Sequence, residues 1–258
     1  MDNNKFIKNL NSIIGEPNTL IADWNKQPFL KGWRYGEGDA IAVAKPGTLF
    51  ELWQVLQLCV DMDIIVIMQA ANTGLTGGST PYGYDYDRPI LIINTMRLSD
   101  IQIIDKGKQI IGFSGSTLFN LEDKLKSYGR EPHSVIGSSC IGASIIGGVC
   151  NNSGGALVKR GPAYTELSLY AKIDSKGKLI LVNELGVHLG NTPKEILTNL
   201  QDSNYGQSDI QYSSKLASDN KYQERIRDVN ASTPGRYNAD SRRLYGATGC
   251  AGKIAVFA

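Results

Sequence analysis

The residues best suited to hold a charged ligand run from Gln69 to Thr80 and include Ala70, Ala71, Asn72, Thr73, Gly74, Gly77, Gly78 and Ser79. They follow an apolar run, Ile64 to Met68, that reads as a buried strand. Small residues and glycines let several backbone N–H groups turn into one concavity. Asn72, Thr73, Ser79 and Thr80 add side-chain hydrogen-bonding groups. That combination suits a pyrophosphate. The loop carries no Lys or Arg, so backbone dipoles would neutralise most of the charge. Read from residue types alone, a plain surface loop between strands fits about as well.

A second stretch, Pro132 to Gly155, is dense in Gly, Ser, Ala and Cys. Such residues let a short helix and its loops pack against something flat and wide, and an extended dinucleotide has that shape. Tight packing within the protein is the competing reading. Within this stretch His133 follows a proline and reads better as a structural hydrogen bonder than as a base. The chain has two histidines, His133 and His188, and neither adjoins a G-x-S-x-G elbow, so no Ser-His-Asp set assembles. Two familiar nucleotide motifs fail. Gly36 and Gly38 are followed by Ile41 where a G-x-G-x-x-G needs its third glycine. Gly252-Lys253 is followed by Ile254, not Ser or Thr, and Ala247 stands where a P-loop opens with glycine.

The elements that would position these loops are legible in outline. Residues 4–15 show helical apolar spacing. Ala40 to Ala44 reads as a short strand. Thr48 and Glu51 form a capping-box pattern at the head of a helix with Leu49, Leu52, Trp53, Leu56, Cys59 and Val60 on one face. With the strands at Ile64–Met68 and Pro89–Asn94 this makes a βαβ pattern and predicts parallel pairing. After Arg97 the character changes. Ile101–Ile104 and Gln109–Phe113 flank a turn, and a helix follows over about Thr117–Tyr128. A short helix is expected within Ile141–Val149. Leu167–Ile173 and Lys178–Val182 form a second hairpin, and Thr192-Pro193-Lys194-Glu195 opens another helix. Residues 201–220 are polar and predict a mobile loop. The fold class is α+β: an α/β part over residues 1–96, then a part with antiparallel sheet and helices over residues 97–258.

With 258 residues, 41% hydrophobic, there is ample material for a core. A net charge of +2 gives no sign of a nucleic-acid partner. Four cysteines, Cys59, Cys140, Cys150 and Cys250, form no C-x-x-C pair, and no metal site is expected. Cys140 and Cys150 sit among small apolar residues and predict buried free thiols, weakly favouring a reducing compartment. The N-terminus lacks a secretory pattern, and the apolar runs near the front are too short to cross a bilayer. Lys253 to Ala258 is strand-like with no polar segment after it, which reads as a piece of a longer protein or as an end that completes a sheet.

From about Gly32 to Ala258 the chain resembles the respiratory, quinone-dependent D-lactate dehydrogenases. These fall within the wider flavoprotein group that includes vanillyl-alcohol oxidase and p-cresol methylhydroxylase. The strings that carry the resemblance are Met68–Leu75, Gly129–Gly155, Arg160–Tyr164 and Arg236–Asp240. The resemblance implies a two-lobed FAD-binding domain of the p-cresol methylhydroxylase type, with FAD between the lobes. It implies that Ala70, Ala71, Asn72, Thr73, Gly74, Gly78 and Ser79 hold the pyrophosphate. Gly137, Ser144 and Gly154 would line the cofactor, with Val256 close by. Some relatives attach FAD through a histidine in the first loop. This loop has none, so non-covalent FAD is expected. The implied reaction is oxidation of D-lactate or a similar 2-hydroxy acid, with electrons passed to membrane quinone, at the inner face of the cell membrane. The substrate cap, the membrane-associated segment and the catalytic groups would lie outside this chain. The other readings are a non-catalytic flavin-binding module and a related flavin oxidoreductase acting on another substrate.

Overall fold

Asp2 starts the first helix by accepting the N–H groups of Asn4 and Lys5, and α1 (Asn3–Ile14) turns Phe6, Leu10 and Ile14 inward. The computed structural model describes residues 2–133, 136, 138–154, 158–232 and 244–258. The chain divides into two compact units. One comprises Met1–Leu98, Ala171–Leu181 and His188–Gly206; the other comprises Ser99–Tyr170, Val182–Val187 and Gln207–Ala258.

In the first unit β1 (Thr19–Leu20), α2 (Asp23–Leu30), β2 (Ala42–Ala44), α3 (Leu49–Asp61), β3 (Ile65–Gln69) and β4 (Ile90–Asn94) follow α1. The sheet order is β1-β2-β4-β3. β2, β4 and β3 are parallel, with Val43 and Ile67 both in register with Ile92, and β1 is antiparallel. The parallel pairing matches the βαβ pattern, but β2 and β3 are not neighbours because β4 inserts between them. β4 is therefore buried along its whole length. β3 forms the edge and is half-buried up to Gln69, so the expectation of a buried strand there is corrected.

Thr48 caps α3, its hydroxyl accepting the Glu51 N–H at 3.0 Å. The Glu51 carboxylate reaches one residue further back than in a capping box, to the Gly47 N–H at 2.6 Å. The element the sequence hid is α2. Its buried residues are Lys26 and Leu30, and it contains Pro28. Lys26 tolerates burial because its ammonium donates to the Ala40 carbonyl at 2.7 Å and pairs with Asp39.

In the second unit β5 (Ile101–Ile104) and β6 (Gln109–Gly112) pair antiparallel, as the flanked turn predicts. α4 (Leu118–Lys126) has Thr117 as its cap and buries Leu118, Leu121 and Leu125. These pack with Ile101, Ile136 and Ala143. α5 (Ile145–Cys150) follows. β7 (Leu169–Ile173) and β8 (Leu179–Asn183) form the second hairpin, of which Ala171–Leu181 belongs to the first unit. Its turn is closed by the Asp174 carboxylate, which accepts the N–H groups of Lys176 and Lys178; those bonds hold its pKa below the usual value.

The chain then supplies α6 (Pro193–Gln201) to the first unit. A full capping box between Thr192 and Glu195 starts it, and the Gln201 side chain accepts the Leu49 N–H.

The polar segment after α6 is held by specific bonds, which is not what its composition predicts. Gln211 donates to the Gly186 carbonyl at 2.7 Å. Glu166, itself buried, donates its N–H to Leu216 and accepts the Leu216 N–H on its carboxylate. Asp219 is buried against Arg225 on α7 (Tyr222–Arg227). Finally β9 (Ala255–Val256) runs beside β7, with Phe257 N–H donating to Leu169 and Leu169 N–H to Ala258. A small core joins Val149, Tyr170, Ala247, Cys250 and Val256.

Candidate functional site

β2, β3 and β4 of the first unit point their C-terminal ends the same way, so the residues after them gather at one edge of the sheet. In open parallel sheets that edge is where ligands bind. Lys45 follows β2, Ala70 to Asn72 follow β3, and Arg97 lies just past β4. With Phe29 and Asn94 they line a cavity of about 360 Å³.

Gln69, at the end of β3, is almost fully buried and organises the loop. Its amide donates to the carbonyls of Phe29 at 2.9 Å and Ser79 at 2.8 Å. Its oxygen accepts the Asn94 side-chain amide at 3.2 Å, and Asn94 also donates to the Ala70 carbonyl. Asn72 sits in the left-handed region, φ 52°. Its side chain donates to the Lys31 carbonyl and accepts the Ser79 hydroxyl, both at 2.7 Å. The two ends of the loop are thereby pinned together. Further along, Gly77 must be glycine: its φ is 76°, and a Cβ there would lie 2.9 Å from the Tyr35 carbonyl oxygen.

Pinned in this way, the loop leaves its own donors unused. Among the described residues, no hydrogen bond takes the backbone N–H of any residue from Ala71 through Ser79. A Cβ added at Gly74 or Gly78 would meet nothing within 4 Å. Such a run of unsatisfied amides beside open space suits an anion with several acceptor oxygens. The absence of Lys and Arg from the loop is made up by neighbours: Lys45 and Arg97 share the cavity, with the Arg97 guanidinium fixed on the Lys45 carbonyl at 2.7 Å. Sequence reasoning missed both cations. The signal was available, since each stands within three residues of the end of a strand read as parallel. Replacing Arg97 by Ala is expected to weaken binding of a pyrophosphate-bearing ligand about tenfold, ~1.4 kcal/mol, and to flatten its salt dependence. Titration of Arg97→Ala and Arg97→Lys at two ionic strengths checks this, with the lysine variant keeping most of the affinity.

The second unit places Ser144 at the head of α5. Its Oγ accepts the Gly147 N–H at 3.0 Å, and the residue bridges Thr117. Ser144 is buried, while Gly154 has open space where a side chain would stand. Gly137 lies outside the described residues, as do Gly155 and Arg236–Asp240. Val256 turns its side chain into the core, so its backbone is what remains for a ligand. His133 Nε2 donates to the Arg160 carbonyl at 2.8 Å, and Arg160 also pairs with Glu131. Tyr164 donates to the buried Glu166 at 2.5 Å. One thiol expectation is corrected: Cys140 is exposed, because the turn Ser139–Ile141 carries it outward, and Cys150 is half-buried.

Residues 40–182 match the family of FAD-binding domains, and the chain belongs to that family; its cofactor is FAD. Solved structures of low sequence identity share the fold. An alkyldihydroxyacetonephosphate synthase superposes with a TM-score of 0.59 at 14% identity, covering 76% of this chain and 38% of that one. p-Cresol methylhydroxylase gives 0.56 at 16% identity, covering 83% and 39%. The fold is thus α+β, of the p-cresol methylhydroxylase type.

Among curated relatives, the quinone-dependent D-lactate dehydrogenase of Escherichia coli (strain K12) is 54% identical over 257 residues, 100% of this chain and 45% of that protein. The protein of the same name from Haemophilus influenzae is 55% identical over 254 residues, 98% and 45%. That from Corynebacterium glutamicum is 45% identical over 246 residues, 95% and 43%. The chain therefore spans a little under half the length of the relatives it matches.

Proposed function

We propose that this chain is the flavin-binding portion of a quinone-dependent D-lactate dehydrogenase, oxidising D-lactate to pyruvate and passing the electrons to quinone. The observation that carries this is the 54% identity maintained over the whole chain with the Escherichia coli enzyme. Bound FAD supplies the acceptor for the two electrons that leave the substrate's C2 as a hydride. The chain's own residues bind and orient it. The backbone of Ala70, Ala71, Asn72, Thr73 and Gly74, with Gly78 and Ser79, takes the pyrophosphate. Lys45 and Arg97 offset its charge, and Gln69 and Asn94 keep the loop in place. Gly137, Ser144, Gly154 and Val256 are the further residues assigned to the cofactor. Residues 1–96 and 97–258 act as its two subdomains.

FAD is held non-covalently, since the loop from Gln69 to Thr80 contains no histidine, cysteine or tyrosine to bond it. No helix among the described residues is long and apolar enough to cross a membrane. The full-length enzyme is read as peripheral at the inner face of the membrane.

The test is a dye-reduction assay on the full-length protein that carries this chain, with D-lactate, L-lactate and other 2-hydroxy acids in parallel. The proposal expects reduction with D-lactate well above L-lactate, and faster turnover when a soluble quinone replaces the dye. Flavin reduced by none of these acids would refute it.

A further inference from the structure

Cys150 ends α5 and Cys250 lies in the turn Ala247–Lys253, yet the backbone brings the two together. The Gly249 N–H donates to the Val149 carbonyl at 3.1 Å, and the Ala251 N–H donates to the Cys150 carbonyl at 3.0 Å. Residue 250 sits between those two donors, opposite Cys150. Both side chains belong to the same small apolar cluster. These two bonds hold the backbones around Cys150 and Cys250 side by side.

We propose that Cys150 and Cys250 form a redox-modifiable pair, a disulfide site that staples the glycine-rich stretch after α5 to the turn leading into β9. The nucleophile is Cys250. Hydrogen bonding from Cys150, with the N–H groups of Gly252, Cys250 and Ile254, draws its pKa to about 7 against the effect of burial. Cys150 is pushed the other way, as the donor in that bond and by its own burial. A thiolate on one side and a thiol poised to resolve on the other is the arrangement that oxidises selectively. Access is short, because Ala251, Gly252 and Lys253 over the pair are exposed.

The oxidant is a peroxide. The Cys250 thiolate attacks the O–O bond, taking one oxygen as sulfenic acid while the other leaves as water. The Cys150 sulfur then displaces the hydroxyl from Cys250. The S–S bond forms, and a second water carries off the Cys150 proton. Two electrons pass from the sulfurs to the peroxide.

Formation of this bond does not depend on the flavin reading; its consequence does. Cys150 lies between Ser144 and Gly154, and Cys250 lies just before Val256, so contracting the two sulfurs to bonding distance shifts residues assigned to FAD.

The experiment treats the reduced chain, with exposed Cys140 replaced (Cys140→Ser), with hydrogen peroxide. It is followed by alkylation, digestion and mass spectrometry, with FAD titrated in parallel. The expected result is a single cross-linked species containing Cys150 and Cys250, lighter by two hydrogens and restored by dithiothreitol. Cys59 stays reduced, and the oxidised form binds FAD several-fold more weakly. In Cys150→Ser, Cys250 is expected to stop at a sulfenic acid trapped by dimedone, while Cys150 in Cys250→Ser stays reduced. Peroxide adducts on either thiol without a cross-link, or cross-links through Cys59, would overturn the site. Unchanged FAD affinity in the cross-linked form would overturn its link to the cofactor. If the reduced chain takes up no FAD, the flavin reading fails while the cross-link result stands by itself.

Discussion

Replacing Gly74 by Val is expected to cost about a hundredfold in FAD affinity, ~2.7 kcal/mol, while leaving the FAD-free protein as stable as before. The two halves of this result come from one observation. A Cβ at Gly74 meets no heavy atom within 4 Å, so the fold has no use for the missing side chain. Nor does the backbone require glycine, since Gly74 is not among the positive-φ residues. The open space borders the amides of Ala71 through Ser79 that the protein leaves unbonded. An isopropyl group placed there blocks close approach of a pyrophosphate to those donors and touches nothing else. Gly77 is the opposite case, where φ and the Tyr35 carbonyl make glycine a requirement of the fold. Fluorescence titration of FAD, with a thermal melt of each apoprotein, separates the two effects. An unchanged Kd in Gly74→Val would remove the loop from the cofactor site.

The largest stability effect is expected at Gln69. Leucine matches its shape but supplies neither the two donors that satisfy Phe29 and Ser79 nor the acceptor for Asn94. Each buried group left without its partner costs roughly 1–3 kcal/mol. With the Asn94 amide still bonded to Ala70, the loss for Gln69→Leu is expected to be about 3 kcal/mol, a Tm lower by roughly 6–12 °C. FAD affinity falls as well, because the Ser79 end of the loop is released. Gln69→Glu keeps the acceptor and loses the donors, and is expected to be similarly destabilised. A melt that does not move would mean that the bonds at Asn72, with the Thr95 N–H that donates to the Gln69 carbonyl at 2.8 Å, hold the loop by themselves.

How far the sequence revealed this can be read residue by residue. Helix starts were plain at Thr48, Thr117 and Thr192, because a capping hydroxyl and its periodic apolar face are local features. The hairpin at Asp174 was legible for the same reason. What escaped depended on partners distant in the chain. α2 hides because its buried lysine is neutralised by Asp39 and Ala40, which no periodicity records. The insertion of β4 between β2 and β3 follows from sheet assembly and not from any one strand. The polar segment after α6 reads as loose, yet Glu166 and Arg225 give it buried partners.

The site divides in the same manner. The amide-rich loop was visible as composition, but its emptiness at Gly74 and its bracing by Gln69 were not. Lys45 and Arg97 became part of the picture once three parallel strands ended side by side. Nothing in the sequence joined Cys150, read as a buried free thiol, to Cys250; the hydrogen bonds between α5 and the turn before β9 do.

The central claim is that this chain binds FAD without a covalent bond, and the visible absorption spectrum tests it most directly. The purified chain is mixed with excess FAD, passed through a desalting column, and its spectrum recorded; it is then denatured and filtered. The account predicts a flavin spectrum that stays with the folded protein in stoichiometric amount and passes entirely into the filtrate on denaturation. A desalted protein with no flavin would contradict the site, and flavin retained on the denatured polypeptide would contradict the mode of attachment.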